Sequence, residues 1–257
     1  GGLGFLNVYT LRARLFPAII AAAPAFALAA VCVAWNHLAL SHVIATLALA
    51  VLLFVLADLA RRRGKHVESI IEKKIGGRPS ALRHGDNTLD GVAKRRYLDF
   101  LASKLKEPAP SPEDEVRDPL AANSFYDRAS AWLREHTRDT KRFSILFEEN
   151  ITYGFRRNLY GLKWPALTLN LLVVAICVAA LLRGPFPNWQ HGTSENLVAI
   201  LVIAFLHALY ISLVVTEKGV IDASRQYARQ LALSCETLMA ASAPTKAAPQ
   251  RRKKQSK

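Results

Sequence analysis

Four long apolar runs constrain this chain more than any other feature. They cover residues 15–35, 38–60, 165–182 and 197–216, and only Asp58, near the end of the second, carries charge. A helix needs about 20 apolar residues to cross a bilayer's hydrocarbon core, so each run is read as one span. A soluble domain would instead interleave polar and apolar residues at helical or strand spacing. A cleavable leader is the competing reading of the first run. It fails because a second run follows at once, with no small-residue cleavage site leading into a soluble domain.

Lys and Arg flanking the runs give the expected direction. Arg12 and Arg14 precede the first run, Arg61, Arg62, Arg63 and Lys65 follow the second, Arg156, Arg157 and Lys163 precede the third, and Lys218 and Arg225 follow the fourth. The short connection after Trp35 has no cation, and the connection 183–196 has only Arg183. Positive charge stays on the cytoplasmic side, so both connections are expected outside and both termini in the cytoplasm of a bacterial inner membrane. Trp35, Trp164 and Trp189 fall at boundaries, where amphipathic rings sit.

The expected architecture is an all-α membrane protein of two hairpins with a helical cytoplasmic domain between them. Residues 1–60 form the N-terminal hairpin, 61–163 the cytoplasmic domain, 164–216 the C-terminal hairpin, and 217–257 a cytoplasmic helix with a basic tail. Within the insert, the second span is expected to continue as a helix to Ile75, loosened at Gly64 and stopped by Gly76-Gly77-Arg78-Pro79. Asp90 caps a helix over 92–105. Ser111 before Pro112, with Asp114 and Glu115, reads as an N-cap with an acidic first turn. A helix over 120–136 follows, with Phe125, Ala129, Trp132 and Leu133 on one face. Phe143, Phe147, Ile151, Phe155 and Leu159 then form a stripe at four-residue spacing, on a helix that Gly161 is expected to bend before the third span. Tyr227, Leu231 and Cys235 mark a helix running out of the fourth span.

Nothing here has the spacing of a metal site, a phosphate-binding glycine loop or a nucleophile elbow, so no catalytic residue, metal or cofactor is expected. Cys32, Cys177 and Cys235 are too widely spaced for a zinc site and odd in number. His84 with Asp86 and Asp90 resembles an acid–base cluster, but in a Gly- and Asn-rich turn such carboxylates bond their own backbone. Glu148 and Glu149 are read as partners of nearby arginines. Inside the spans, Asp58 is expected to pair with Arg61 or Arg62. Asn170, His207 and Tyr210 are the pore or interhelical polar residues; both helix–helix bonding and a water-filled path satisfy His207.

The net charge is +14, with 34 Lys or Arg against 20 Asp or Glu. Residues 61–163 hold 22 Lys or Arg and 15 Asp or Glu. Two places in the insert join cations to aromatic rings: Lys94-Arg95-Arg96-Tyr97, and Tyr153 with Arg156, Arg157 and Tyr160. Cations for phosphates and rings for bases are what single-strand binding uses, so these eight residues are the candidate site for an anionic nucleotide or oligonucleotide. The opposing reading makes Arg156, Arg157 and Tyr160 anchors at the headgroups. Four spans are few to enclose an ion path in one chain, so a channel requires a homo-oligomer in the lipid bilayer. A non-conducting scaffold that recruits a cytoplasmic partner is the alternative.

The segment Leu146-Phe147-Glu148-Glu149-Asn150-Ile151, continuing as Tyr153-Gly154-Phe155-Arg156-Arg157-Asn158-Leu159-Tyr160-Gly161-Leu162-Lys163, resembles one found in bacterial inner-membrane proteins of uncharacterised role. The layout resembles membrane effectors of anti-phage systems, in particular the channel component of Hailong-type systems. That resemblance implies a partner nucleotidyltransferase whose DNA oligomer controls the channel.

Overall fold

The computed structural model describes residues 7–32, 42–75, 77, 80–183 and 193–242. Their regular elements are all helical: α1 (Val8–Thr10), a π-helical turn (Leu11–Leu15), α2 (Phe16–Cys32), α3 (His42–Lys74), α4 (Gly91–Leu105), α5 (Pro112–Arg117), α6 (Pro119–His136), α7 (Ser144–Gly161), α8 (Lys163–Arg183), α9 (Thr193–Leu213) and α10 (Glu217–Ser242). They fall into two compact units, Gly1–Pro79 with Ser144–Ala228, and Ser80–Phe143 with Arg229–Lys257.

The first unit holds the apolar helices. Val8–Val31, Lys163–Arg183 and Ser194–Leu213 are long and apolar enough to cross a membrane, yet only 28% of the most apolar stretch of each is buried. Among the described residues there are thus three such helices rather than the four expected. The second run, 38–60, lies partly outside the described residues. Large apolar side chains face outward on these helices, among them Leu171, Phe205 and Leu213 at 67–68% exposure. Water-soluble proteins rarely expose so many large apolar side chains, and helices that face lipid do. Between the helices the contacts are small: Ala18 and Ala21 of α2 meet Ala60 of α3 and Ala166 of α8. Small side chains allow backbones to approach closely, the usual source of helix association where lipid removes the hydrophobic drive. Further along, Val173, Cys177 and Ala180 of α8 pack with Leu197 and Ile200 of α9 and Leu28 of α2.

α3 runs without a break through Gly64 to Lys74. Gly64 therefore does not loosen the helix as expected; its missing side chain serves a helix crossing described below. Gly161 ends α7, and one residue, Leu162, separates it from α8. Lys163 Nζ donates to the carbonyls of Ser212 and Val215 at 3.0 and 2.8 Å, satisfying the open end of α9. The helix expected to run out of the fourth span is a separate one. α9 stops at Leu213, and Thr216 starts α10 by accepting from Gly219 N at 3.2 Å.

The second unit is held by caps and a small aromatic core. Asp90 accepts from Val92 N and Ala93 N, and Ser111 with Asp114 closes a capping box on α5. Asp118 caps α6 through Ala121 N. Each cap satisfies N–H groups that the first helical turn leaves open. Tyr97, Leu101, Phe125, Tyr126, Ala129 and Leu133 are buried, together with Leu231 and Cys235 from α10. Phe100 and Trp132 meet edge to face at 5.7 Å. Burial pushes the Cys235 thiol up to about 12, so it is an inert apolar filler.

Candidate functional site

The first cation–aromatic cluster lies on α4, and the helix divides it. Lys94 is buried, and its Nζ donates to the carbonyl of Arg83 at 2.7 Å and to that of Asp86. It ties the turn before α4 to the helix. Tyr97 is also buried and donates to the Glu236 carboxylate at 2.9 Å. Burial first, and Glu236 second, push its phenol up to about 12. Arg96 pairs with the same carboxylate at 3.1 Å, and Arg95 is exposed. Two of the four residues thus point inward.

His84 and its neighbours are similarly occupied by structure. Its ring Nε2 lies 2.9 Å from the Pro110 carbonyl, and its backbone N–H donates to Glu115. Asp86 accepts from Thr88 N, and Asp90 caps α4. Among the described residues no cluster of His, Cys, Asp and Glu could hold a metal ion.

The second cluster lies on α7, where three helices cross with buried polar contacts. Arg157 is buried, and its guanidinium meets Glu68 of α3 at 3.1 Å, with side chains 7% and 12% exposed. Tyr153 donates to the same carboxylate at 3.3 Å, stacks on Tyr227, and lies beneath Arg157. Burial first, then Glu68, push the Tyr153 phenol up to about 12. Arg156 is exposed and donates to Gly219 O at 3.3 Å. Tyr160 is half-buried against Leu159, Ile211 and Val215.

At the centre of this crossing is Asn158, which no reading of charge or stripe singles out. Its side chain is fully buried, and Nδ2 donates to Ala13 O at 2.6 Å. Ala13 lies in the π-helical turn, where the regular ladder is interrupted and carbonyls need other partners. Glycines admit the amide. A Cβ on Gly64 would stand 1.9 Å from Asn158 Oδ1, and one on Gly161 would stand 2.7 Å from the backbone of Arg63. A Cβ on Gly154 would meet the Tyr9 hydroxyl at 2.9 Å. Gly154, Asn158 and Gly161 share one face of α7 at helical spacing. That small–polar–small pattern is the sequence signal for this crossing, and the aromatic stripe masks it. Arg12 reaches α7 as well, pairing with Glu148 at 2.8 Å.

Comparison of the chain with family models, curated proteins and solved structures finds no match.

Deeper among the apolar helices, Asn170 Nδ2 donates to Ala204 O at 2.9 Å, joining α8 to α9. His207 Nε2 lies 3.0 Å from Ile20 O, joining α9 to α2; a carbonyl only accepts, so Nε2 carries the proton. Asn170 Oδ1 and His207 Nδ1 are buried without a partner among the described residues. Tyr210 is 38% exposed and does not join them. It lines a cavity of about 330 Å³ with Phe155, Arg156, Val214 and Thr216, so residues expected in separate sites come together there.

Charge is uneven along the insert. Residues 80–143 carry 12 Lys or Arg against 11 Asp or Glu, whereas 61–79 carry seven against two. The positive excess of the insert belongs mostly to the stretch that follows the second apolar run.

Proposed function

We propose that the chain is a homo-oligomeric channel or pore effector of the bacterial inner membrane, with four spans including 38–60 and both termini in the cytoplasm. Its cytoplasmic side controls the pore in response to an anionic nucleotide or oligonucleotide, in anti-phage defence. The observation that carries this reading is the α7 crossing. α7 touches α3 backbone to backbone at Gly161, holds the π-helical turn ahead of α2 through Asn158, and passes into α8 after one residue. A displacement of α7 therefore acts on three membrane helices together, as a ligand-biased two-state element must. The segment that carries the resemblance contains Gly154, Arg157, Asn158 and Gly161, the residues of that crossing. The oligonucleotide arm rests on Arg95 and Arg96, which face outward on α4.

Purified chain in planar bilayers tests the reading. We expect unitary currents that change when short single-stranded oligonucleotides are added, and a loss of that response in Arg95→Ala/Arg96→Ala. Absence of any current from reconstituted oligomer would remove the channel.

A scaffold is favoured by one observation. Val116 and Leu120 are 83% and 79% exposed in a stretch of nearly balanced charge, a surface better suited to a protein than to a polyanion. Capture of a cytoplasmic partner that Val116→Glu/Leu120→Glu abolishes, without conductance, would establish it.

A further inference from the structure

We propose that the pocket between the start of the first helix and α3 binds the phosphate of an anionic phospholipid, clamped by Arg14 and Arg61. The pocket holds about 250 Å³, with Asn7, Tyr9 and Arg14 on one wall and Phe54, Asp58 and Arg61 on the other. It carries two guanidinium groups, and neither forms an ion pair among the described residues. Arg14 lies over the Tyr9 ring at 5.4 Å. The pocket's carboxylate, Asp58, attracts Arg14 and is also bonded by Arg62 at 2.6 Å, so it is shared. Two cations facing one cavity with a single shared carboxylate leave an excess of positive charge, which suits an anion with several acceptor oxygens, and the guanidinium fork suits a phosphate.

The apolar continuation selects a lipid over a soluble phosphate. Val51, Phe54, Asp58 and Arg61 follow one another along a single face of α3. Val51 and Phe54 are 62% and 58% exposed. The face below the arginines is thus exposed and apolar, as an acyl chain requires, while the arginines stand where the apolar run ends. This site goes beyond the channel reading and rests only on its membrane-spanning part. Channel and scaffold would both carry it.

The test uses the full chain, purified in detergent and delipidated, with native mass spectrometry after adding phosphatidylglycerol or phosphatidylcholine. A basic side chain near a headgroup is worth about fivefold in binding, so the pair should give about thirtyfold preference for phosphatidylglycerol. Arg14→Gln/Arg61→Gln should lose that preference, and Arg63→Gln, one of the neighbouring cations outside the pocket, should keep it. If the double variant fails to fold, the exposed Arg61→Gln alone should lose about fivefold. Equal binding of the two lipids would overturn the proposal. So would an equal loss in Arg63→Gln, which would indicate a diffuse basic surface. Displacement of the lipid by millimolar inorganic phosphate would make the site one for a soluble anion. Alkaline carbonate extraction of cell membranes reports insertion separately, so failure of the pocket and failure of the membrane reading are distinguishable.

Discussion

Gly161→Ala and Gly64→Ala probe the α7 crossing in two chemically different ways. At Gly161 the added Cβ meets Arg63 C, Arg63 O and Gly64 N at 2.7–2.8 Å, all backbone. No side chain can swing aside, so the helices must part by roughly 0.7 Å to reach the 3.4 Å of ordinary contact. Forced overpacking costs about 1–3 kcal/mol. At Gly64 the new Cβ meets mainly the Asn158 amide, at 1.9 and 2.9 Å. The amide can rotate away, but then it leaves Ala13 O, and a stranded buried polar group costs about 1–3 kcal/mol.

The two variants separate in combination with Asn158→Ala. That change removes the atoms Gly64→Ala strikes, so the double variant should be more stable than the sum of the singles by about 0.5–3 kcal/mol. Asn158→Ala cannot rescue Gly161→Ala, because the obstructing backbone remains. The assay is thermal unfolding of detergent-solubilised protein, followed by Trp fluorescence at fixed detergent. A Gly161→Ala variant that melts with the parent would refute the close crossing. Equal rescue of both glycines by Asn158→Ala would refute the division between side-chain and backbone obstruction.

Glu68→Gln should destabilise the first unit by about 3–5 kcal/mol, read by the same melt, because it leaves Arg157 buried without its counter-charge. Ser111→Ala should cost the second unit about 1 kcal/mol by opening the capping box on α5, seen as faster amide exchange at Asp114. The Tyr97 phenol is raised in the folded state from 10.0 to about 12, so its contribution is complete below pH 10 and is lost as pH rises towards 12. Unfolding midpoints should therefore fall across that window, and Tyr97→Phe should flatten part of the fall. Tyr126, raised by burial and Glu115, keeps part of the remainder, together with Tyr153 and Cys235.

The helices were legible because their signals are local. Asp90 and Ser111 cap where short-range chemistry says they should, and apolar length alone marks the membrane helices. What escaped notice depends on partners distant in the chain. Gly64 reads as a weak point in a helix until Asn158, far along the sequence, fills the space its side chain leaves. Phe143, Phe147, Ile151, Phe155 and Leu159 form a regular stripe, yet Phe143 precedes α7 and Phe147 and Phe155 are only half-buried. The face that α7 buries most deeply includes Gly154 and Asn158, since a crossing of helix backbones rewards small residues over large ones. His207 reads equally as pore or glue, and the carbonyl of Ile20 decides where one of its nitrogens goes.

The same dependence limits the oligonucleotide site proposed on α4 and fixes a number that tests it. Lys94, Tyr97, Leu98 and Leu101 are the buried set of that helix, at the i, i+3, i+4, i+7 spacing of a core face. A lysine on that face looks like part of a basic patch until the carbonyls of Arg83 and Asp86 take up its ammonium. Only Arg95 and Arg96 remain to meet phosphates, and Arg96 must first leave Glu236. Each phosphate neutralised on a single strand contributes about −0.7 to the slope of log affinity against log salt. Binding confined to these two arginines should therefore give a slope no steeper than about −1.4, measured by fluorescence anisotropy of a labelled oligonucleotide. A slope several times steeper would mean that cations elsewhere hold the strand, and the +5 balance of residues 61–79 would be the first place to look. Arg95→Ala/Arg96→Ala would then leave most of the affinity intact, and the α4 site would be refuted.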